Sequence, residues 1–551
     1  MLTTTVHPQW IAEMYPGTKG RDHLGLGSVS SERILQALSP GIYVLTIHPR
    51  YFSFYVFLLD EFWQRGLPRK RAVWKDFYRR HEFIYSVGAN LCDQPQHKDI
   101  SNIVGSQKTA PLASQELDKY VASTNYIKSD FGGYGLYYRA PMLEMELIYP
   151  FGAGSPPLPL DAPSEEGKKV AEAFRQAVRD TTYYRHFFDK EEVPLDVIRE
   201  YIRCACLCQL RLERTPDRGA LRKVYLTGGR RFEPRVATFR LLLDIAAATQ
   251  GHEIYDADFR NLLYFGATQS GVRYSPRPTV SSTYLKWRLY QAREYYSFAL
   301  NALWYYLCDW GLRQSGDVRP IPLSTFWQHI ETALNFDRLA TKLGLVKPHI
   351  QANSGFMALL DWLERIAGAS GAQFDAACTL NRPLNEEHLY NLASEDRADR
   401  VSMITGMVTM LALIYLRFSQ PKLWQTPEWA ISQMGAESRL SVAGFLRQLQ
   451  RRLKSGPVTI GEVVRWLYND YVIVQHQLIA TSKLPENTFR FQREGDALRF
   501  YNLGNELEFM NSRYFALSTT IHELGFCGDL RQANHKLTRD GQYLLEHGTL
   551  I

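Results

Sequence analysis

The chain has 551 residues, of which 45% are hydrophobic, 13% aromatic and 22% charged. This composition supports large buried cores and excludes a disordered chain. At about 150 residues per domain, the length predicts roughly three to four domains. The 46 arginines and 18 lysines outnumber 57 acidic residues, for a net charge of +7. An arginine excess suits phosphate binding, but a GC-rich genome produces the same excess.

The cysteine count and the hydropathy pattern predict a cytoplasmic protein that does not enter a membrane. Seven cysteines without the spacing of a secreted disulfide framework indicate free thiols in a reducing compartment. Residues 1–10 lack the basic and apolar regions of a secretory signal. The most apolar stretch, residues 403–416, is shorter than the roughly 20 residues that span a bilayer, so we expect a buried helix there.

Two breaks in composition predict three domains. The stretch 150–163 holds five prolines and two glycines, which is typical of a linker, and 419–435 separates two periodic regions. We therefore expect a mixed, mostly helical N-terminal domain over 1–150, a large α-helical domain over 164–420 and a C-terminal domain over 436–551. The predicted fold class is mainly α and multi-domain, because most periodic stretches repeat every 3.6 residues.

Three segments carry more local predictions. Residues 120–149 contain a glycine-rich start followed by LYYRAPMLEMELIY, which favours a strand or extended chain. Residues 50–63 and 294–307 share an aromatic pair, Ser-Phe and an apolar run. A single echo without a fixed period does not indicate a solenoid, so we expect two similarly built core helices.

The C-terminal domain contains a predicted hairpin. Two amphipathic helices, 437–454 and 461–482, precede FRFQREGDALRFY over 489–501, whose alternating arms flank a glycine-containing turn. The apolar residues of the arms are expected to face a core, which places Arg490 and Arg499 on the outer side and Arg493 at the tip. A short final helix follows, with Thr538 as its cap.

This order of elements, with a final Leu-Thr-x-x-Gly-x-x-Leu-Leu helix, resembles the winged-helix modules of transcription factors and restriction or repair proteins. The resemblance implies that Arg490, Arg493 and Arg499 contact DNA phosphates, which fix position without reading bases. It covers about a fifth of the chain, and the short helix-turn-helix spacing before the wing is missing. Winged folds also serve in protein contact or as structure, and those alternatives stay open.

A second candidate nucleic-acid surface lies over 65–80. Aromatic residues are interleaved there with cations, a combination that suits phosphate contact and base stacking. The alternative is a solvated face closed by local ion pairs. The cations are Arg65, Arg69, Lys70, Arg71, Lys75, Arg79 and Arg80. A third stretch, 211–240, has nine basic residues spread over loops.

Catalytic motifs are missing from the sequence. It has no phosphate-binding P-loop, no dinucleotide-binding glycine motif, no His-Glu-x-x-His and no Gly-x-Ser-x-Gly. We interpret Cys204, Cys206 and Cys208 as buried small hydrophobic residues of a helix, with only Cys204 and Cys208 on one face. We therefore predict no metal and no cofactor. Acidic clusters over 252–258 and 386–388 could hold Mg²⁺, although helix starts explain them as well.

The N-terminal string over 21–55, RDHLGLGSVSSERILQALSPGIYVLTIHPRYFSFY, resembles the opening of uncharacterised prokaryotic proteins associated with phage-defence or mobile-element gene neighbourhoods. The resemblance implies a subunit that recognises DNA or a protein partner beside a separate nuclease or helicase. We therefore expect a non-enzymatic subunit that binds duplex or single-stranded DNA and other proteins. The alternatives are a metal-dependent nuclease or other hydrolase, and a purely structural adaptor.

Overall fold

The computed structural model of the chain describes residues 22–315, 319–368, 380–395, 399–420, 426–433, 440–502, 507 and 512–550. These residues are mainly helical, which confirms the predicted mainly α fold class. Part of the predicted break over 419–435 falls outside the described residues.

The chain forms two compact units, and each draws on separate stretches of sequence. Unit 1 comprises the described parts of Met1–Leu35, Ala257–Ser275 and Ser281–Met510. Unit 2 comprises the described parts of Gln36–Asp256, Pro276–Val280 and Asn511–Ile551. The proline-rich stretch over 150–163 lies inside unit 2, where it forms a loop of turns between two short strands.

The α-helices, in chain order, are α1 (Leu26–Ser28), α2 (Leu35–Leu38), α3 (Arg50–Gln64), α4 (Arg71–Asn90), α5 (Ser106–Ala113), α6 (Arg139–Glu144), α7 (Glu165–Val178), α8 (Leu195–Ala205), α9 (Pro216–Thr227), α10 (Glu233–Ala248), α11 (Asp256–Phe265), α12 (Ser281–Ser315), α13 (Leu323–Ala333), α14 (Phe336–Lys342), α15 (Phe356–Ala367), α16 (Glu386–Glu395), α17 (Arg400–Phe418), α18 (Ala430–Gln433), α19 (Val442–Ser455), α20 (Ile460–Trp466), α21 (Val474–Ser482), α22 (Tyr514–Glu523) and α23 (Arg539–His547). Short π-helical or 3₁₀ segments extend or join several of them.

The strands are short and lie in three small sheets. They are β1 (Lys119–Val121), β2 (Ile148–Tyr149), β3 (Ala162–Pro163), β4 (Glu192–Pro194), β5 (Ile321–Pro322), β6 (Phe491–Glu494) and β7 (Ala497–Phe500). β1 pairs with β4 and β2 with β3, both antiparallel, and the third sheet has the order β5-β7-β6. In that sheet Phe491 lies opposite Phe500, and Ile321 lies opposite Leu498.

Helix α3 is the centre of unit 2. It is buried from Arg50 through Phe62, so its aromatic side chains pack on all sides rather than along one stripe. It packs most extensively against α7 and also contacts α4 and α9. The Arg50 guanidinium donates to the Asp217 carboxylate of α9, and both side chains are fully buried. This ion pair fixes how α3 and α9 meet.

Helix α12 has the same role in unit 1. It is 35 residues long and packs against α17, whose apolar stretch is 89% buried. α17 is the one helix of the described residues that is long and apolar enough to cross a membrane, and its burial is that of a core helix. The predicted buried helix over 403–416 and the two core helices behind the sequence echo are therefore confirmed.

Two local predictions are wrong. Residues 134–144, expected to be extended, form a π-helical turn followed by α6, because their aromatic side chains pack at helical spacing. The helix expected to carry Cys204, Cys206 and Cys208 ends at Ala205, and Cys206 takes an extended conformation before a 3₁₀ turn, Leu207–Arg211. By contrast, the predicted final helix is confirmed, and the Thr538 hydroxyl accepts from the Gly541 N–H at 3.1 Å.

We expect Asp217→Ala to lower the free energy of unfolding by about 3–5 kcal/mol, because Arg50 is left as a buried cation without its partner. The matched control is Asp76→Ala, which removes an exposed carboxylate of α4 and should change stability by less than about 0.5 kcal/mol. Denaturant unfolding followed by tryptophan fluorescence measures both. Equal stability of the two variants would show that the ion pair does not hold the core.

Candidate nucleic-acid interface and metal centre

The loop between α3 and α4 presents three exposed cations, Arg69, Lys70 and Arg71, here called the basic loop. The Arg69 guanidinium lies over the Trp63 ring at 4.3 Å, and the Arg71 guanidinium lies over the Phe131 ring at 4.6 Å. Neither of these cations nor Lys70 makes an ion pair with a described residue. Stacking orders the guanidinium groups while their N–H edges stay available for an anion.

The basic loop lies directly at the N-terminus of α4. Lys70 is the N-cap residue, no side chain of the described residues caps the helix, and no acidic residue occurs in the first turn. The first N–H groups of a helix lack partners within it and carry a partial positive charge. The helix end and the three cations therefore favour the same ligand, an anion.

The other predicted cations of 65–80 are engaged within unit 2. Arg65 pairs with Glu61 and Asp189, and Lys75 pairs with Asp130 at 2.7 Å. The side chain of Arg79, a predicted nucleic-acid contact, is buried and donates to the Ile127 carbonyl, so it is not part of the exposed surface. Arg80 is half-buried. Local ion pairs thus account for part of this stretch, and the basic loop is the exposed remainder.

Of the nine basic residues over 211–240, five are buried or half-buried, and Arg214, Lys223, Arg230 and Arg231 are exposed. Arg235 is buried and donates to the carbonyls of Pro40, Val224, Tyr225 and Gly228. Arg222 and Arg240 also donate to backbone carbonyls of unit 2. These guanidinium groups stabilise chain ends and turns.

An exposed aromatic pair lies near the basic loop. Phe151 is 68% exposed and Tyr149 is 50% exposed. Asp161 connects them to the loop, because its carboxylate accepts from the Phe151 N–H at 2.8 Å and its carbonyl accepts from the indole of Trp63 at 2.9 Å. Trp63 in turn supports Arg69. Asp161 therefore links the backbone of Phe151 to Trp63, the ring that supports Arg69.

The predicted hairpin is confirmed as β6 and β7, with Gly495 at positive φ in the turn. The prediction that the apolar residues of the two arms face a core is also confirmed, because Phe489, Phe491, Leu498 and Phe500 are buried. The hairpin belongs to unit 1 and the final helix α23 to unit 2.

The cations of the hairpin differ from the prediction. Arg490 is buried, so the expectation that it faces outward is wrong. Arg499 is half-buried and pairs with Glu494 at 2.6 Å, and the Arg493 guanidinium donates to the carbonyl of Gly495 in the turn. The hairpin surface is therefore largely neutralised by its own residues.

Arg490 is buried because its backbone is tied to the helix beneath the hairpin. Its N–H donates to Nε2 of His476 at 3.0 Å, and Nδ1 of His476 faces the His23 carbonyl at 3.2 Å. These contacts hold His476 as a neutral imidazole. Burial lowers its pKa to about 4, and the nearby Arg490 and Lys483 charges also act to lower it. Burial also lowers the pKa of His23 to about 3.

The two predicted acidic clusters do not assemble into metal sites. Glu386 is buried and paired with Arg417, and Glu387 is buried and paired with Arg260. In the cluster over 252–258, Glu253 is exposed and accepts from the Tyr255 hydroxyl. Over the ranges that the structure describes, neither cluster gathers three or more ligating side chains around one point.

One such group does exist, and it consists of Cys92, His97, Cys206 and Cys208 in unit 2. All four ligand atoms lie within 4.8 Å of one another. The sulfurs of Cys92 and Cys208 are 3.8 Å apart, and Nδ1 of His97 lies 3.1 Å from Sγ of Cys206. Cys206 and Cys208 are buried, whereas Cys92 and His97 are half-buried.

The end of α8 explains why the sequence prediction missed this group. On a helix, Cys206 and Cys208 would point in different directions. Instead, the helix ends at Ala205, Cys206 has φ −56° and ψ 146°, and Cys208 lies in the 3₁₀ turn that follows. Cys92 and His97 come from the loop after α4, which lies far earlier in the chain. Cys204 is exposed and lies outside the group.

The thiols of this group differ in pKa. Hydrogen bonds from the Cys206 and Cys208 thiols lower the pKa of Cys92. Burial raises the pKa of Cys206 well above its ordinary value. Three thiols so close together favour a single thiolate, and a bound cation would be needed to deprotonate all three.

No protein-family model matches the chain, and searches of curated proteins and of solved structures found no match either.

Stability should fall as the pH is lowered from about 6.5 towards 4. The folded protein keeps His476 and His23 neutral in this range, whereas the unfolded chain takes up protons at an ordinary histidine pKa. The contribution of these histidines is therefore fully present above a pH of about 6.5 and is lost below it. We expect His476→Gln to show a smaller decrease of Tm between about pH 7 and pH 5 than the unaltered chain.

The exposed His252 provides the control, since His252→Gln should leave the pH dependence unchanged. Differential scanning fluorimetry across the pH range measures all three proteins. An identical decrease of Tm in the unaltered chain and the His476→Gln variant would contradict the assignment of a neutral His476.

Proposed function

We propose that this chain binds single-stranded nucleic acid through the basic loop and the neighbouring aromatic pair of unit 2. The observation that carries the proposal is the set of three exposed cations, Arg69, Lys70 and Arg71, at the N-terminus of α4. Such a site binds phosphate through charge-assisted hydrogen bonds and the helix dipole.

The aromatic pair favours a single strand over a duplex. Phe151 and Tyr149 offer exposed rings on which unpaired bases can stack. A duplex keeps its bases inside and presents phosphates alone to a loop of this kind. Cations with adjacent exposed rings form the usual arrangement for sequence-tolerant binding of a single strand.

A winged-helix role for the hairpin is a second, weaker part of the proposal. Strand β5 pairs with β7 and leads directly into α13, and the hairpin strands β6 and β7 follow a long helical segment. This resembles the strand order of a winged fold. Because Arg499 is paired with Glu494 and Arg490 is buried, we assign the hairpin a smaller share of the binding energy than the basic loop.

The chain's role is that of a nucleic-acid-binding subunit that works with other proteins and leaves hydrolysis to them. The resemblance of residues 21–55 to proteins of phage-defence neighbourhoods supports this context. Pairing of Glu386 and Glu387 with buried arginines speaks against the metal-dependent nuclease alternative. Mg²⁺-dependent cleavage of DNA that disappears in Glu253→Ala would restore that alternative.

The triple variant Arg69→Ala, Lys70→Ala, Arg71→Ala should bind a fluorescein-labelled oligothymidine more weakly. The slope of log Kd against log salt should fall by about 2, since each phosphate that the protein no longer neutralises lowers it by about 0.7. Fluorescence anisotropy over a salt series measures both quantities. The matched control is Arg451→Ala, Arg452→Ala, Lys454→Ala, which removes three exposed cations from α19. If both triple variants lost the same affinity, net charge alone would explain the effect, and the basic loop would not be the binding site.

Phe151→Ala should weaken binding to the single strand by about 1–3 kcal/mol, the worth of one stacked base, and leave duplex binding unchanged. Tyr255→Ala removes another exposed aromatic side chain of unit 2 and is the control. Equal affinities of the Phe151→Ala and Tyr255→Ala variants for the oligothymidine would contradict the stacking role.

A further inference from the structure

We propose that Cys92, His97, Cys206 and Cys208 bind one Zn²⁺ ion, which joins the loop after α4 to the loop after α8. Three thiolates and one imidazole form a common ligand set of structural zinc sites. This inference is independent of nucleic-acid binding, because it concerns other residues of unit 2.

The distances fit a tetrahedral ion. Sulfur and nitrogen ligands at about 2.0–2.3 Å from zinc are about 3.3–3.8 Å apart at tetrahedral angles. The Cys92 and Cys208 sulfurs are already 3.8 Å apart, and the widest separation in the group is within 4.8 Å. Small rotations of the side chains therefore complete the coordination, without movement of the helices.

The backbone around the ligands is held in place by neighbouring side chains. The Arg211 guanidinium donates to the Gln96 carbonyl at 2.8 Å, which ties the segment of Cys206 and Cys208 to that of His97. The Tyr85 hydroxyl donates to the Ala205 carbonyl at 3.0 Å, and Arg50 donates to the Cys206 carbonyl at 2.5 Å. Both loops are therefore organised by contacts that do not involve the metal.

One outer contact also suits a metal-bound thiolate. The side-chain amide of Gln209 donates to Sγ of Cys208 at 3.8 Å. Donors of this kind orient metal ligands and stabilise their charge. The site offers four protein ligands, so no coordination position is left for water or a substrate. This is typical of structural rather than catalytic zinc sites.

A disulfide between Cys92 and Cys208 is the competing chemistry for this group. It would remove two electrons and two protons from the thiols and needs an oxidant that the cell interior does not favour. It would also leave Cys206 and His97 without a role. We therefore assign the metal, and the disulfide becomes an outcome of the test.

The full-length chain, purified under reducing conditions from zinc-containing medium, should contain about one zinc per chain by inductively coupled plasma mass spectrometry. Cys92→Ser and Cys208→Ser should each reduce the zinc content at least several-fold. Cys204→Ser is the matched control, since this exposed cysteine lies two residues from Cys206 and outside the group, and its zinc content should be unchanged.

Because a cysteine variant can fail to fold, the unaltered chain is also tested directly. After zinc is removed with a chelator, added Co²⁺ should give the absorption of tetrahedral cobalt with thiolate ligands, and added Zn²⁺ should abolish it. The chelated protein should unfold at a lower temperature and recover on adding zinc. No bound zinc and no cobalt spectrum, equal zinc loss in Cys204→Ser, or a Cys92–Cys208 disulfide in unreduced protein would each overturn the proposal.

Discussion

The buried ion pair between Arg50 and Asp217 is the interaction on which unit 2 depends. The Arg50 guanidinium binds the Asp217 carboxylate with two nitrogens and the Cys206 carbonyl with the third, and the Ser53 hydroxyl also donates to Asp217. Burial of two charges is costly, so the pair stabilises only because nearly every donor and acceptor is used. It orients α3 against α9 and positions the cysteine-bearing segment after α8.

The same chemistry accounts for part of the arginine excess, since ten arginines of the described residues are buried. Arg50, Arg235, Arg293, Arg417 and Arg513 are among the largest fully buried side chains, and they bind carboxylates or backbone carbonyls. A planar guanidinium offers five N–H donors in a fixed fork, whereas a lysine ammonium offers three. Part of the excess is therefore internal, and the proposed nucleic-acid interface depends on a few exposed cations rather than on total charge.

The sequence predicts well where one local pattern dominates. The 3.6-residue period of α17 and the alternation of β6 and β7 are visible in the sequence, and both elements form as expected. Prediction fails where contacts with residues distant in the sequence determine the position of a side chain. The outward side of the hairpin does not reveal that Arg490 is buried, because His476 binds its backbone from another element. Likewise, Cys206 and Cys208 form a candidate metal site only together with Cys92 and His97, which lie far away in the sequence. Each unit is also built from separate stretches of the chain, so no local sequence pattern marks its boundaries.

Helix α4 connects the two proposed sites, since the basic loop precedes its first turn and Cys92 follows its last. A zinc ion at the far end would hold α4 against α8 and so support the basic loop, where we propose that phosphates bind. In the proposed site, three sulfurs and one nitrogen bind this ion. X-ray absorption at the zinc edge of the purified chain measures this directly. We predict a shell of three sulfurs at about 2.3 Å and one nitrogen at about 2.0 Å; a shell of oxygen ligands, or no zinc, would contradict the account.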